Sequence, residues 1–485
     1  MQLDRLLKDI PVKKIEGDTK DKEIAAIRTD SRIMGRGELF VALVGENSDG
    51  HDYIQEAVRR GAAAVVCQRC AEGVRVPQIV VDDTRKALSF LAAAFYGEPQ
   101  KKLKIVGVTG TNGKTTTCRY IASILEKAGK ETGVIGTLGV FYCGISLAPD
   151  LTTPDPLRLF RLFSDMQKSG VEYVVMEVSA HAVYYEKASA VRFAACVFTN
   201  CTQDHLDFFR SMENYKAVKK RLFTEGKYAF AVANADDSLG AEILKDCPRC
   251  RSYALDTPAD NFAVVREEDL RGSDVLFNLE DELIETRLRL TGRYNVYNAL
   301  AAATCAKGLG IKGADIAAGL YAVDRVAGRL ESLGSVNGGE VFVDFAHTPD
   351  GLKNVLTALK ERCKGKLLCV FGCGGNRDAG KRPLMGEIAA KLADFCVLTS
   401  DNPRYEEPYA IISAIERGYR AYSRNYVVVQ DRRKAIEYAM RRMRENDVLL
   451  VAGKGGENYQ EIMGIKYDYN DNAVIGEIME KMRTE

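Results

Sequence analysis

Residues 105–117 read IVGVTGTNGKTTT, and no other stretch constrains the chain as much. An apolar run at 105–108 leads into Gly110, Thr111, Asn112 and Gly113. Lys114, Thr115 and Thr116 then open a helical pattern with Ile121, Ile124, Leu125 and Ala128 on one face. The predicted order is strand, phosphate loop, helix. Polyphosphate oxygens need bare backbone N–H groups, a helix N-terminus and a lysine ammonium, and a threonine hydroxyl can hold Mg2+. All are present, although the common spacing GxxxxGK[ST] is shifted, with Val108 in its first position and the glycine one residue earlier at Gly107. The alternative, a Gly-rich turn that binds nothing, requires neither the lysine nor the threonines.

At 485 residues the chain exceeds one core, and roughly 100–200 residues per domain points to three domains. Lysines plus arginines (68) nearly cancel aspartates plus glutamates (67), so no global field argues for nucleic acid or a membrane surface. No basic, aromatic-interleaved groove sequence appears. There are 13 cysteines, the start MQLDRLLKDIPVKK is charged, and no apolar run approaches the roughly 18 residues that span a bilayer. The expectation is a cytoplasmic protein with reduced thiols. Two CxxC pairs, Cys67 with Cys70 and Cys247 with Cys250, could ligate zinc together, but they lie far apart and neither has a neighbouring histidine.

The four histidines, His51, His181, His205 and His347, fall in DGHDY, EVSAHA, TQDHLD and DFAHTPD, all polar and turn-like. Such contexts suit ligand or metal work as well as structural hydrogen bonding. In the first segment, strands at 38–44, 63–67 and 78–81 alternate with helical sequence. Its turns TDSR (29–32) and GENSDGHD (45–52) are rich in Ser, Asp and Gly, which ordinary turn chemistry also explains. A helix at 84–96 and the link GEPQKK close a first domain, residues 1–100.

Buried strands at 173–178 and 194–199 deliver Glu177, Ser179 and His181, then Asn200, Asp204 and His205, at their carboxyl ends, where ligands gather in open parallel sheets. A basic helix (214–223) carries Lys219, followed by Lys220 and Arg221. TGRYNVYNALAAATCA (291–306) forms a small-residue helix bearing Asn295 and Asn298. VAGRLES (326–332) marks the end of a second domain, 101–329. In the third, 330–485, strands at 341–344, 366–371, 395–399, 426–430 and 447–452 alternate with helices. Three strand ends carry GCGGNRDAGKRPLM, DNPR and GKGGENYQ, an anion-binding rim or a merely solvated edge.

GTNGKTTT, LTTPD, MEVSAH, the segment 200–205, VAGRLE, VDFAHTPD and DNPR, taken in this order, resemble the Mur ligase family over residues 29–471. The resemblance is greatest to the branch that adds the third residue of the peptidoglycan stem peptide. It implies an α/β fold of three domains: N-terminal for the uridine nucleotide, central P-loop ATPase, and C-terminal Rossmann-like for the amino acid. It also implies ATP-driven phosphorylation of a D-glutamyl carboxylate, attack by an amine on the acyl phosphate, and loss of phosphate. The implied substrates are UDP-MurNAc-L-Ala-D-Glu and meso-diaminopimelate, acted on by a monomer with no nucleic-acid or membrane partner.

By that resemblance Lys114, with Mg2+ on Thr115, balances charge on the γ-phosphate. Glu177 and His205 hold a second Mg2+ bridging phosphate and carboxylate, and Lys219 is carried as a carbamate that ligands Mg2+. Asn295 and Asn298 match positions near adenine. Arg329, His347 and Asp350 match positions that meet the nucleotide on closure. Ser31 matches a uridine contact, and Thr152, Thr153, Ser179, Tyr185 and Lys187 match the muramoyl-dipeptide arm. DNPR (Asp401, Asn402, Pro403, Arg404) resembles the diaminopimelate branch, because a guanidinium can clasp the distal carboxylate that lysine lacks. Arg382, Gly453 and Glu457 match the rest of that pocket. Tyr185, Lys187 and Gly456 depart from the usual glutamine, arginine and histidine. The rival readings are the same ligase using L-lysine, a folylpolyglutamate synthetase, and an ATP-binding regulatory protein without catalysis.

Overall fold

The computed structural model describes residues 1–46 and 48–485, so Asn47 in the expected turn at 45–52 lies outside the described residues. The chain divides into two compact bodies, one of residues 1–107, 130–196 and 221–229, the other of 108–129, 197–220 and 230–485. Three strands, Lys104–Thr109, Arg192–Phe198 and Lys227–Asn234, begin in the first body and finish in the second. Among the described residues no helix is long and apolar enough to cross a membrane.

In the first body a five-stranded sheet runs in the order Val12–Glu16, Gln78–Val81, Ala62–Cys67, Glu38–Val41, Ile27–Arg28. Only its first pair is antiparallel. The expected helix after it spans Thr84–Phe95, capped by Asp83, whose carboxylate accepts from Arg85 N and Lys86 N. Strands Tyr173–Glu177 and Thr132–Gly136 pair in parallel. The hairpin Gly139–Tyr142 and Ile145–Leu147 then adds antiparallel strands that the sequence analysis did not predict.

In the second body the β-rich sequence at 252–290 resolves into an antiparallel meander, Asn261–Asp269, Gly272–Leu279 and Glu282–Leu288. A six-stranded sheet follows in the order Glu331–Val336, Gly339–Asp344, Val448–Ala452, Leu367–Phe371, Phe395–Leu398, Tyr426–Val428. Its central strands read as continuous apolar runs because both faces are covered. Leu367, Cys369 and Phe371 enter one core with Leu352, Met385 and Ile415, whereas Leu368 and Val370 enter the other with Ile436, Met440 and Ile475. Burying each such aliphatic side chain contributes roughly 1.5–3 kcal/mol. The parallel order sets the strand ends carrying Asp344, DNPR and GKGGE along one edge.

Candidate active site

The phosphate loop has the backbone its glycines require. Gly110 has φ +151 and a Cβ there would stand 1.9 Å from Thr199 Oγ1; Gly113 has φ +84 and its Cβ would stand 2.2 Å from Asn298 Oδ1. Gly113 caps the helix Lys114–Lys127 without a side-chain hydrogen bond, so the N-terminal N–H groups face the loop uncapped by a side chain. Lys114 Nζ donates to Gly110 O (3.0 Å) and Thr111 O (2.9 Å), folded over the cradle it would share with phosphates.

Residues distant in sequence converge on this loop within the second body. Asn200 Oδ1 accepts from Asn112 N at 2.9 Å, and Asn112 Nδ2 donates to Asp350 Oδ2 at 3.0 Å. Arg329 Nη2 donates to Thr115 Oγ1 at 3.1 Å, with its guanidinium carbon 4.6 Å from the Phe345 ring centre. Asn298 is buried against Gly113 of the same loop, and Asn295 is buried one turn earlier on its helix: Asn295 Nδ2 donates to Thr291 O, Asn298 Nδ2 to Asn295 Oδ1. Burial pushes the Asp344 carboxyl up to about 6 despite Arg329 nearby and backbone N–H groups of Leu330 and Ala346.

Asp204, at the strand end before His205 and given no role from sequence, is the hub of a second cluster. Its Oδ2 lies 3.3 Å from His205 Nε2 and 3.7 Å from His347 Nε2, and its Oδ1 lies 3.9 Å from Lys381 Nζ. Burial alone would raise this carboxyl, but His347, His205 and Lys381 hold it far below the usual carboxylate range. The signal was an acid next to His205 at a strand end. Lys219, far from a solvated basic face, is 1% exposed and its ammonium sits 4.6 Å from the Tyr215 ring centre. Burial, then the neighbouring Lys114 charge, push it down to about 7.

Glu177 and the residues expected at the dipeptide arm belong to the first body. Glu177, 1% exposed, accepts from Thr137 N (2.9 Å) and Thr137 Oγ1 (3.1 Å). Thr137 Oγ1 also meets Thr152 Oγ1 at 3.2 Å, Thr153 Oγ1 donates to Glu177 O at 2.8 Å, and Ser179 N donates to Thr153 Oγ1 at 3.1 Å. Lys187 Nζ pairs with Asp155 Oδ1 at 2.8 Å and donates to Thr153 O, so this lysine joins the same cluster. The Tyr185 hydroxyl donates to Glu46 and its ring lies under Arg85 at 4.3 Å. Ser31 Oγ donates to Glu56 Oε2 at 2.9 Å. Among the described residues no three His, Cys, Asp or Glu side chains cluster as a metal site.

In the second body DNPR meets GKGGE. Asn402 Nδ2 donates to Glu457 Oε2 at 2.9 Å, and a Cβ at Gly453 (φ +115) would stand 2.6 Å from Asp401 Oδ2. Asp401 is held below its ordinary value against the cost of burial by Lys454 and Arg432. Pro403 O packs on Gly375, whose Cβ would stand 1.9 Å away. Arg404 (φ +52) is shared: Nε donates to Glu461 Oε2 at 3.2 Å and Nη1 to Gly375 O at 2.8 Å. Arg382 forks onto Glu406 at 2.9 Å through both Nη atoms, so its guanidinium braces the loop. Gly456, the departure from histidine, lies where a Cβ at Gly328 would stand 2.1 Å from its backbone N. The hairpin Tyr459–Ile462 and Ile465–Asp468, not predicted from sequence, supplies Glu461.

Comparison with known proteins covers the same segments. Family profiles described as "Mur ligase family, catalytic domain", "Mur ligase middle domain" and "Mur ligase, glutamate ligase domain" match residues 23–96, 108–306 and 328–455. The UDP-N-acetylmuramoyl-L-alanyl-D-glutamate--2,6-diaminopimelate ligase of Syntrophomonas wolfei is 42% identical, covering 99% of both chains. The ligase of the same name from Phocaeicola vulgatus is 41% identical, again over 99% of each. A solved structure of a ligase with that name aligns with a TM-score of 0.69 at 29% identity, over 97% of both chains.

Proposed function

The chain belongs to the Mur ligase family, and from that membership we propose that it joins meso-diaminopimelate to the D-glutamate of UDP-N-acetylmuramoyl-L-alanyl-D-glutamate, at the expense of ATP. The observation that carries the reading is the contact of Arg329 and Asp350 with Thr115 and Asn112, because it brings residues from two family segments onto one phosphate loop. We assign residues 1–100 to the uridine nucleotide, 101–329 to ATP and 330–485 to the amino acid. The enzyme works as a monomer in the cytoplasm.

An oxygen of the D-glutamyl carboxylate attacks the γ-phosphorus, the bond to the β-γ bridging oxygen breaks, and ADP leaves. The neutral amine of diaminopimelate then attacks the acyl carbon. Phosphate departs with the former carboxylate oxygen, and the amine gives up a proton. The loop N–H groups and Lys114 hold the phosphates, Arg329 neutralises charge beside Thr115, and Asn295 and Asn298 shape the floor near adenine. Ser31, Thr152, Thr153, Ser179, Tyr185 and Lys187 hold the sugar-nucleotide substrate, while Arg404, Asn402 and Glu457 receive the distal end of the amino acid.

Within the second body the donors suit Mg2+: the Thr115 hydroxyl, the His205 imidazole and Lys219 as its carbamate. A buried ammonium beside Lys114 is a poor neighbour for a cation, whereas a neutral amine takes up CO2 and becomes an anion. Bound there, Mg2+ supplies charge neutralisation for the phosphoryl groups. The test of the whole reading is phosphate release by the purified protein. It is expected to require both the sugar nucleotide and meso-diaminopimelate, and to be at least about tenfold weaker with L-lysine. Equal use of L-lysine would make it the lysine-adding enzyme, and release that needs neither substrate would remove the ligase assignment.

A further inference from the structure

Lys454 lies between two glycines of GKGGE, and its side chain is entirely buried (0% exposed). A buried ammonium is costly unless every donor is well used. Here Nζ donates 3.0 Å to Asn402 Oδ1 and 3.0 Å to Glu457 Oε2, with the Tyr459 ring centre 5.6 Å away. Asn402 Nδ2 donates to the same Glu457 oxygen at 2.9 Å, so the three side chains close a triangle. Asn402 Oδ1 also accepts from Glu461 N at 3.0 Å, which fixes the amide with its nitrogen toward Glu457.

We propose that Lys454 is a positioning residue for the incoming diamino acid: it cross-links the DNPR and GKGGE loops and keeps Glu457 aimed to accept the substrate's distal ammonium. The proposal rests on the reading of these loops as the amino-acid pocket. Without the lysine, Glu457 Oε2 keeps only the bond from the Asn402 amide, and Asn402 Oδ1 loses its bond to Lys454, so one of the triangle's three bonds remains. The cation also explains why Asn402 and Glu457, from different strand ends, face each other rather than each turning to solvent: Lys454 Nζ and Asn402 Nδ2 donate to the same Glu457 oxygen.

The test uses the full chain with all three substrates varied in turn. In Lys454→Met the KM for meso-diaminopimelate is expected to rise about tenfold or more. The KM values for ATP and the sugar nucleotide should stay within about twofold. In a Glu457→Gln background the same substitution should change the diaminopimelate KM by less than about threefold, since its main intermediary is already gone. An equal rise in all three KM values, or the same large rise in both backgrounds, would overturn the inference. Should Lys454→Met alone fail to fold, the double variant buries no lone charge and carries the test: a KM matching Glu457→Gln supports the proposal, and a further tenfold rise overturns it. Arg404→Ala separates the two levels. If it leaves the diaminopimelate KM unchanged the pocket reading falls, whereas if it raises that KM and Lys454→Met does not, only the role of Lys454 falls.

Discussion

Arg329 and Thr115 meet at 3.1 Å although 214 positions separate them, and the guanidinium thereby reaches the first turn of the phosphate-loop helix. A hydrogen bond from a charged donor typically contributes about 1.5–3 kcal/mol. Arg329→Ala should therefore lower kcat/KM for ATP by at least about tenfold. Steady-state kinetics at saturating sugar nucleotide checks this, with the thermal midpoint as a control for folding.

Gly113→Ala is expected to damage nucleotide binding for two separable reasons. The backbone there has φ +84, and the new Cβ would stand 2.2 Å from Asn298 Oδ1, so both the loop and Asn298 must shift. Gly129 is the matched control, with φ +72 and nothing within 4 Å of a Cβ. Gly129→Ala should show only the left-handed backbone cost of about 1–2 kcal/mol. Gly113→Ala should add a loss of ATP affinity of about tenfold or more, read by nucleotide titration.

The phosphate loop and the parallel sheets were legible because local pattern and global fold agree there: apolar runs, glycines and a helix start all point to one arrangement. The partners of Arg382 and Lys187 were not legible, since nothing local says that Arg382 turns onto Glu406 or that Lys187 pairs with Asp155. The hairpin at Tyr459–Ile462 and Ile465–Asp468 escaped notice because its strands are short and mixed in polarity, the first half-buried and the second exposed. Lys219 was ambiguous from its neighbours alone. Followed by Lys220 and Arg221 it reads as a solvated basic face, yet the helix turns Lys219 inward while Lys220 pairs with Glu242 and Asp246.

Lys219→Ala should lose at least about a hundredfold in kcat, if the carbamate is what offsets charge near the phosphates. Added acetate or another short carboxylic acid should restore part of the activity, and intact mass or density at Lys219 should show the added CO2. An unmodified lysine in the active enzyme would contradict the assignment.

Asp344 gives the stability a signed pH dependence. Its folded carboxyl titrates at about 6 against an ordinary value of 3.8, so the unfolded chain releases the proton first. Stability contributed by the protonated form is complete below about pH 4 and is lost as pH rises to about 6 and above. Compared with Asp344→Asn, the wild type should lose about 3 kcal/mol across that window, two pKa units at 1.36 kcal/mol each. Denaturant unfolding at pH 4, 5, 6 and 7 checks the slope, and an opposite or flat difference would contradict it.

The most direct test of the chemistry follows one oxygen atom. The sugar-nucleotide substrate is prepared with both oxygens of the D-glutamyl carboxylate as oxygen-18, and the enzyme turns it over with ATP and meso-diaminopimelate. Attack of that carboxylate on the γ-phosphorus requires that each released phosphate carry a single oxygen-18 atom. Phosphate free of the label, with both heavy atoms accounted for elsewhere, would contradict activation of the carboxylate by ATP at the Lys114 loop.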